Sequence, residues 1–213
     1  RLCRDWSSDV CSSDLLHFKK GTFDAVVFSS GASLLGRSVP EIQAITGCVD
    51  QVLFIENLAC YEMALSGDYP MLRNQITAAT LLIYQGGFSS NIQRLFYTKL
   101  FKTFPNARYR LWSDIDLGGA RIYANLQQVI PSLQTLFMDL ETLIQYNQYC
   151  VNLTPGYAVK VSQALARALA DSDSLPDYVR LLTLLHNCQK RLEQESLGLR
   201  ETQNKEGDSN ESR

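Results

Sequence analysis

The sequence is poor in histidine, with two residues, His17 and His186. With only these two available, neither a zinc site nor a His-based catalytic triad is expected. The six cysteines (Cys3, Cys11, Cys48, Cys60, Cys150, Cys188) form no Cys-x-x-Cys and have no histidine at zinc spacing. They read as small buried hydrophobes in a reducing, cytoplasmic protein. No apolar run approaches the length of a membrane span, so no membrane partner is expected. Neither sign of charge is in excess: a net charge of -2 excludes a strongly basic nucleic-acid coat and leaves room for a local groove. Gly-x-x-x-x-Gly-Lys-Ser/Thr is missing, which excludes a P-loop ATPase, and so is the Gly-x-Gly-x-x-Gly of a dinucleotide site. There is no internal repeat and no long linker.

What is present suffices for a packed core: 213 residues, 46% apolar and 20% charged, enough for one domain or one plus a fragment. Residues 1–15 stand apart. They carry no sustained period and no apolar h-region of a signal peptide, and they resemble translated sequencing-adapter sequence. On that reading the native N-terminus is missing, and the chain is the C-terminal part of something longer. Residues 16–50 form a partial N-terminal element leading into the core, with a strand over 23–28. Ser38-Val39-Pro40-Glu41 opens either a short helix to residue 46 or an extended run over 42–45.

Residues 51–145 form the core. Continuous apolar runs predict strands over 52–55, 81–84, 109–112 and 133–138, and helical periods over 58–65, 90–102 and 118–130 alternate with them. This order predicts an α/β fold, a parallel sheet with right-handed crossovers and helices on both faces. Residues 146–200 form a mostly helical C-terminal part. It follows a short helix over 141–149, and has one over 156–170 and a long one opening at residue 174. His186 lies beside the apolar stripe of that last helix and is expected to be a partly buried structural residue. Residues 201–213 are polar and read as a disordered tail.

The chemistry concentrates in Arg110-Leu111-Trp112-Ser113-Asp114-Ile115-Asp116-Leu117-Gly118-Gly119. Residues i and i+2 of an extended chain point the same way, so Asp114 and Asp116 can share one side of a strand end. Two carboxylates there repel unless a cation separates them, and Mg²⁺ or Mn²⁺ suits oxygen ligands. The same residues also read as a loop whose Asp caps a helix N-terminus, with the glycines making the turn. In parallel sheets ligands sit at the carboxyl ends of strands, where Glu56, Gly86-Gly87, Asp114 with Asp116, and Asp139 all fall. Glu56, Asp114 and Asp116 then form a three-carboxylate cluster, in which Glu56 can act as general acid or base. Glu56-Asn57 also fits a helix cap. Gly86-Gly87 reads as a tight strand-to-helix turn. Arg94, Lys99, Lys102, Arg108, Arg110 and Arg121 read either as a phosphate track or as a solvated helix face. A nucleotide-sugar transferase holding Mn²⁺ and diphosphate on Asp-x-Asp is a rival, and it leaves Glu56 unexplained.

Five ordered blocks carry a family resemblance. They are Phe54-Ile55-Glu56-Asn57-Leu58, Tyr84-Gln85-Gly86-Gly87-Phe88, Ser113-Asp114-Ile115-Asp116-Leu117-Gly118-Gly119, Phe137-Met138-Asp139-Leu140-Glu141-Thr142-Leu143 and Leu192-Glu193-Gln194-Glu195. From Val26 to Glu195 the chain resembles the C-terminal domain of JetD, the nuclease subunit of the Wadjet anti-plasmid defence system. The resemblance implies a Toprim fold, related to the A subunit of type IIB topoisomerases, that uses Mg²⁺ or Mn²⁺ to cut double-stranded DNA. It implies Glu56, Asp114 and Asp116 as metal and catalytic residues, SMC-like defence subunits as partners, and a homodimer. It leaves the role of Glu193 and Glu195 open. The family has Gly where Ser113 stands and often His where Gly118 stands, and neither change removes a ligand. The family's arm and winged-helix elements would lie in the missing half. The expected function is a metal-dependent DNA endonuclease domain with water as nucleophile. The alternatives are a topoisomerase-like cleavage subunit, with tyrosine supplied from the missing half, and a non-catalytic interaction module.

Overall fold

The computed structural model describes residues 16–20, 23–27, 42–47, 49–67, 69–77 and 79–197. The expectations for residues 1–15 and 201–213 lie outside them. The chain divides into two compact units, Arg1–Leu111 with Asn125–Gln134, and Trp112–Ala124 with Thr135–Arg213. Among the described residues no helix is long and apolar enough to cross a membrane.

The first unit opens with β1 (Leu16–Lys20), β2 (Phe23–Val27) and β3 (Ile42–Gly47), an antiparallel sheet in the order β2-β1-β3. The extended alternative for residues 42–45 therefore holds over the helical one. Ile42, Ile45 and Thr46 are β-branched and favour a pleated surface, and Ile45 is buried.

The main sheet has β4 (Gln51–Ile55), β5 (Thr80–Tyr84), β6 (Arg108–Trp112) and β7 (Gln134–Thr135), in the order β5-β4-β6-β7. It is a parallel sheet flanked by helices, with β4 and β5 in register from Gln51↔Thr80 to Ile55↔Tyr84. Every residue of β4 is buried, as its unbroken apolar run requires of a strand covered on both faces. α1 (Leu58–Ser66) starts where Asn57 Oδ1 accepts from the Cys60 amide, and Gly67 ends it in the left-handed conformation at φ 75°. α2 (Pro70–Arg73) is one turn. α3 (Asn91–Thr103) begins in a capping box between Ser90 and Gln93 and buries Phe96, Tyr97 and Leu100. Ile92 and Leu95 of the same helix are exposed.

Arg110 corrects the phosphate-track reading. It is only 7% exposed, and its guanidinium donates to Gln75 Oε1 (2.6 Å), Gln51 Oε1 (2.5 Å) and the Gln75 carbonyl (3.0 Å). A strand covered on both faces buries its polar residue too, and neutral amides supply the acceptors. Burial, with the Arg108 charge second, lowers its pKa from the usual arginine value. Arg94 is likewise engaged, donating to the Asn125 carbonyl and to Gln128.

The second unit is mostly helical: α4 (Leu117–Gln127, whose last turn returns to the first unit), α5 (Leu140–Gln145) and a 3-10 turn at Asn147–Tyr149. β8 (Val151–Asn152), α6 (Pro155–Ala170), α7 (Pro176–Cys188) and β9 (Lys190–Arg191) follow. α6 packs on α7, burying Val161 and Ala168 on one and Leu181, Leu182 and Leu185 on the other. Gln189 turns left-handed at φ 53° after α7 and sends β9 back antiparallel to β8. The strand expected over 133–138 shrinks to Gln134–Thr135, because Phe137 takes φ 57°, which no strand admits. His186 is exposed rather than partly buried, with Nδ1 3.2 Å from Ser162 Oγ.

Candidate metal centre

β6 delivers Trp112 and Ser113 into a buried position at the start of the second unit. Trp112 packs edge-on against Phe137 with ring centroids 5.8 Å apart. Asp114 follows, and Ile115 pairs with Leu192: the Ile115 amide donates to the Leu192 carbonyl (2.9 Å) and the Leu192 amide to the Ile115 carbonyl (3.2 Å). This bridge lays Glu193-Gln194-Glu195 alongside Asp114. Gln194 is 1% exposed; its amide donates to Asp114 Oδ1 (2.7 Å) and its Nε2 to the Trp112 carbonyl (3.2 Å). Gln194 and Glu195 lie in a turn, where the Ser196 amide donates to the Glu193 carbonyl (3.1 Å) and the Leu197 amide to the Gln194 carbonyl (3.2 Å), so Gln194 is held inward while Glu193 and Glu195 stay at the surface beside Asp114.

The outcome is a cluster in which carboxylate oxygens of Asp114, Glu193 and Glu195 all lie within 4.8 Å of one another. Asp114 and Glu193 are half-buried and Glu195 is exposed. Oxygens opposite each other across a Mg²⁺-sized ion, at about 2.1 Å each, are about 4.2 Å apart, so the three can close on one hard cation. Arg191 Nη1 lies 3.5 Å from Glu193 Oε1 with both side chains partly exposed. An exposed pair of that kind contributes about 0–1 kcal/mol and leaves most of the repulsion in place.

Asp116 is placed differently. It precedes α4, where its Oδ1 accepts from the Gly119 amide (2.8 Å) and its Oδ2 from the Tyr157 hydroxyl (3.2 Å). Tyr157, on the first turn of α6, accepts in turn from the Leu117 amide (2.9 Å). The helix-cap geometry weighed for this loop is thus the one Asp116 adopts. Burial raises the Tyr157 pKa; the Leu117 amide opposes that shift and the Asp116 charge adds to it. The hydroxyl therefore stays a donor toward Asp116. Tyr157→Phe removes a hydrogen bond from each side of the cap and should lower stability by about 0.5–1.5 kcal/mol in urea titration, with the fold intact by circular dichroism. An unchanged midpoint would show that the cap stands without Tyr157.

Of the other residues singled out in the sequence, Glu56 directly follows β4 in the first unit, half-buried, before the Asn57 cap of α1. Asp139 caps α5, accepting from the amide and hydroxyl of Thr142 (both 2.8 Å). Gly86 and Gly87 take φ 59° and 97°, the tight turn read from the sequence. The side-chain amide of Gln85 braces that turn, donating to the Gly87 carbonyl and to Ser89. The acids whose place sequence reasoning left open are Glu193 and Glu195. Their signal was on the page: a second acid-x-acid alternation, of the same period that singled out Asp114-x-Asp116.

A family model described as Wadjet protein JetD, C-terminal, matches residues 20–206, most of the chain. No curated protein matches it. The match spans β2, β3 and the parallel sheet, the Asp114 loop and the Glu193-Gln194-Glu195 segment. The chain therefore belongs to the Wadjet JetD C-terminal family and is a Wadjet defence protein.

Proposed function

We propose that this chain is the Toprim-type, metal-dependent DNA endonuclease domain of its Wadjet complex. The observation that carries the reading is the convergence of Asp114, Glu193 and Glu195 within 4.8 Å at the end of β6. That place, beyond the carboxyl end of a parallel strand, is where open α/β sheets put their ligands. All donors are carboxylate oxygens, the set that suits Mg²⁺ or Mn²⁺. An ion held there would stabilise charge developing on a phosphate. Gln194 fixes Asp114 from below, and Asp116 ties the same loop to α4. Glu56 is the general acid or base, as the resemblance implies. Double-stranded DNA is the substrate, and SMC-like subunits and a second copy of the chain are the partners.

The test is thermal and chemical stability against Mn²⁺ and Mg²⁺, followed by plasmid cleavage. An ion at about 100 times its dissociation constant should stabilise wild type by about 2.7 kcal/mol. Asp114→Asn and Glu193→Gln should abolish that gain. Glu56→Gln should keep the fold and lose cleavage. One observation favours a non-catalytic module: the Gln194 amide and Arg191 already meet part of the acids' demand for positive charge. A wild type that gains nothing from either ion, or variants that gain as much as wild type, would establish that reading instead.

A further inference from the structure

A recess of about 190 Å³ opens in the second unit between α4, α6 and the turn that precedes α7. Arg121, Arg167, Ser174, Tyr178 and Asp171 line it, and Ala164 and Ala168 are small enough to leave it open. A water needs only about 10–15 Å³ on the same measure, so the recess admits a group of phosphate size. Its charges are unbalanced. Arg121 and Arg167 are exposed, and their guanidiniums make no ion pair or hydrogen bond among the described residues. Asp171 is turned to its own loop, with Oδ1 accepting from the Asp173 amide (3.0 Å) and Oδ2 from Ser174 Oγ (3.3 Å). Asp177, at the start of α7, is held by Tyr123 (2.9 Å) and Arg180 (3.1 Å). Two free guanidiniums and a phenol around one hollow make an anion site, and the planar guanidinium fork matches phosphate oxygens.

We propose that this recess binds a backbone phosphate of a nucleic-acid strand, through Arg121 and Arg167. The proposal rests on DNA being the substrate. Arg121 lies five residues past Asp116, about 6–8 Å along α4 from the capped N-terminus, and helical side chains lean toward that end. A strand whose scissile phosphate sat at the acid cluster would run on over Arg121. The recess is open and has no enclosed slot for a base, which suits a phosphodiester in a passing strand better than a free nucleotide.

The experiment measures binding of the 213-residue chain to a short DNA duplex in EDTA, where cleavage is off, across 50–200 mM salt. Each phosphate contact contributes about 0.9 to the slope of log K against log salt, so the double variant R121Q/R167Q should lose about 1.8. Its unfolding midpoint should equal that of wild type. Lys160→Gln removes an exposed charge from α6 outside the recess and should leave the slope unchanged. Inorganic phosphate is titrated in parallel, followed by NMR.

An unchanged slope in the double variant overturns the proposal. So does an equal loss per charge from Lys160→Gln, because net charge alone would then be acting. Phosphate binding that the double variant abolishes, with DNA binding intact, assigns the recess to a free anion and also overturns it. A reduced slope in a protein that never cleaves DNA with Mn²⁺ leaves the recess standing and removes the nuclease reading.

Discussion

Gly119→Ala should destabilise the second unit more than an alanine at either of its other described glycines, Gly118 and Gly156. A Cβ at Gly119 would fall 2.1 Å from the Asp114 carbonyl oxygen and 2.4 Å from Ser113 Oγ, closer than non-bonded atoms approach. The first of these is backbone and cannot rotate away. Relief must come from displacing the Asp114 peptide, which lies between the Ile115–Leu192 bridge and the Trp112 carbonyl that Gln194 holds. Overpacking of this kind costs about 1–3 kcal/mol, and more where backbone is the obstacle. Against a total stability of about 5–15 kcal/mol, that is a large fraction. The urea midpoint should fall, and the gain from Mn²⁺ should disappear with it, because the displaced residue is Asp114. Gly118→Ala is the control. Its Cβ would meet Asp116 Oδ1 at 3.0 Å, the end of a side chain that can turn. The expected order is Gly119→Ala well below Gly118→Ala, and the reverse order would refute the steric account. A Gly119→Ala protein with the wild-type midpoint and metal response would do the same.

Gln51→Leu is the second large effect, and it acts in the first unit. Gln51 is 3% exposed, accepts from Arg110 Nη2 (2.5 Å), and donates to the Gln75 carbonyl (2.6 Å). No carboxylate pairs with Arg110 among the described residues, so the amides are all that stabilise its charge there. Stripping a hydrogen-bond partner from a buried group costs about 1–3 kcal/mol, and more where the group is charged. Removing the charge as well should recover part of that loss, since apolar replacement of both partners of a buried pair is often near neutral. The double variant Q51L/R110M should therefore be more stable than Gln51→Leu alone in denaturant titration. If it is less stable, the buried guanidinium is not what makes Gln51 necessary.

The parallel sheet was legible because burial on both faces leaves an unbroken apolar run, as in Val52-Leu53-Phe54-Ile55. The ends of α1 and α3 were legible for a different reason: Asn57, Gly67 and Ser90 act within three residues of themselves. What failed depended on things no local window contains. The apolar run over 133–138 satisfied a strand pattern, yet Phe137 adopts a left-handed conformation there. Arg110 read as solvated because a charge in isolation prefers water; Gln51 and Gln75 come from elsewhere in the chain. The two-residue spacing that placed Asp114 and Asp116 on one side assumes an extended backbone at both. Ile115 is bridged to Leu192, whereas Asp116 sits in a bend and its carboxylate caps α4. Glu193 and Glu195 were visible as an alternation of acids, and their destination beside Asp114 was not, because pairing over that distance leaves no mark on composition.

The Gln194–Asp114 hydrogen bond joins residues 80 apart in the chain. Closing so long a loop carries an entropy cost that grows only slowly with length, about 0.6 kcal/mol per doubling, so the contact is affordable once the helices between are in place. Its effect is on timing. At about 5–20 residues per second, a ribosome takes about 4–16 s to travel from Asp114 to Gln194. During that interval β4, β5 and β6 are already outside or emerging, while Asp114 waits without Glu193 and Glu195. The three acids come together only when nearly the whole described chain has been made, and a nascent chain stalled before Leu192 carries one of them.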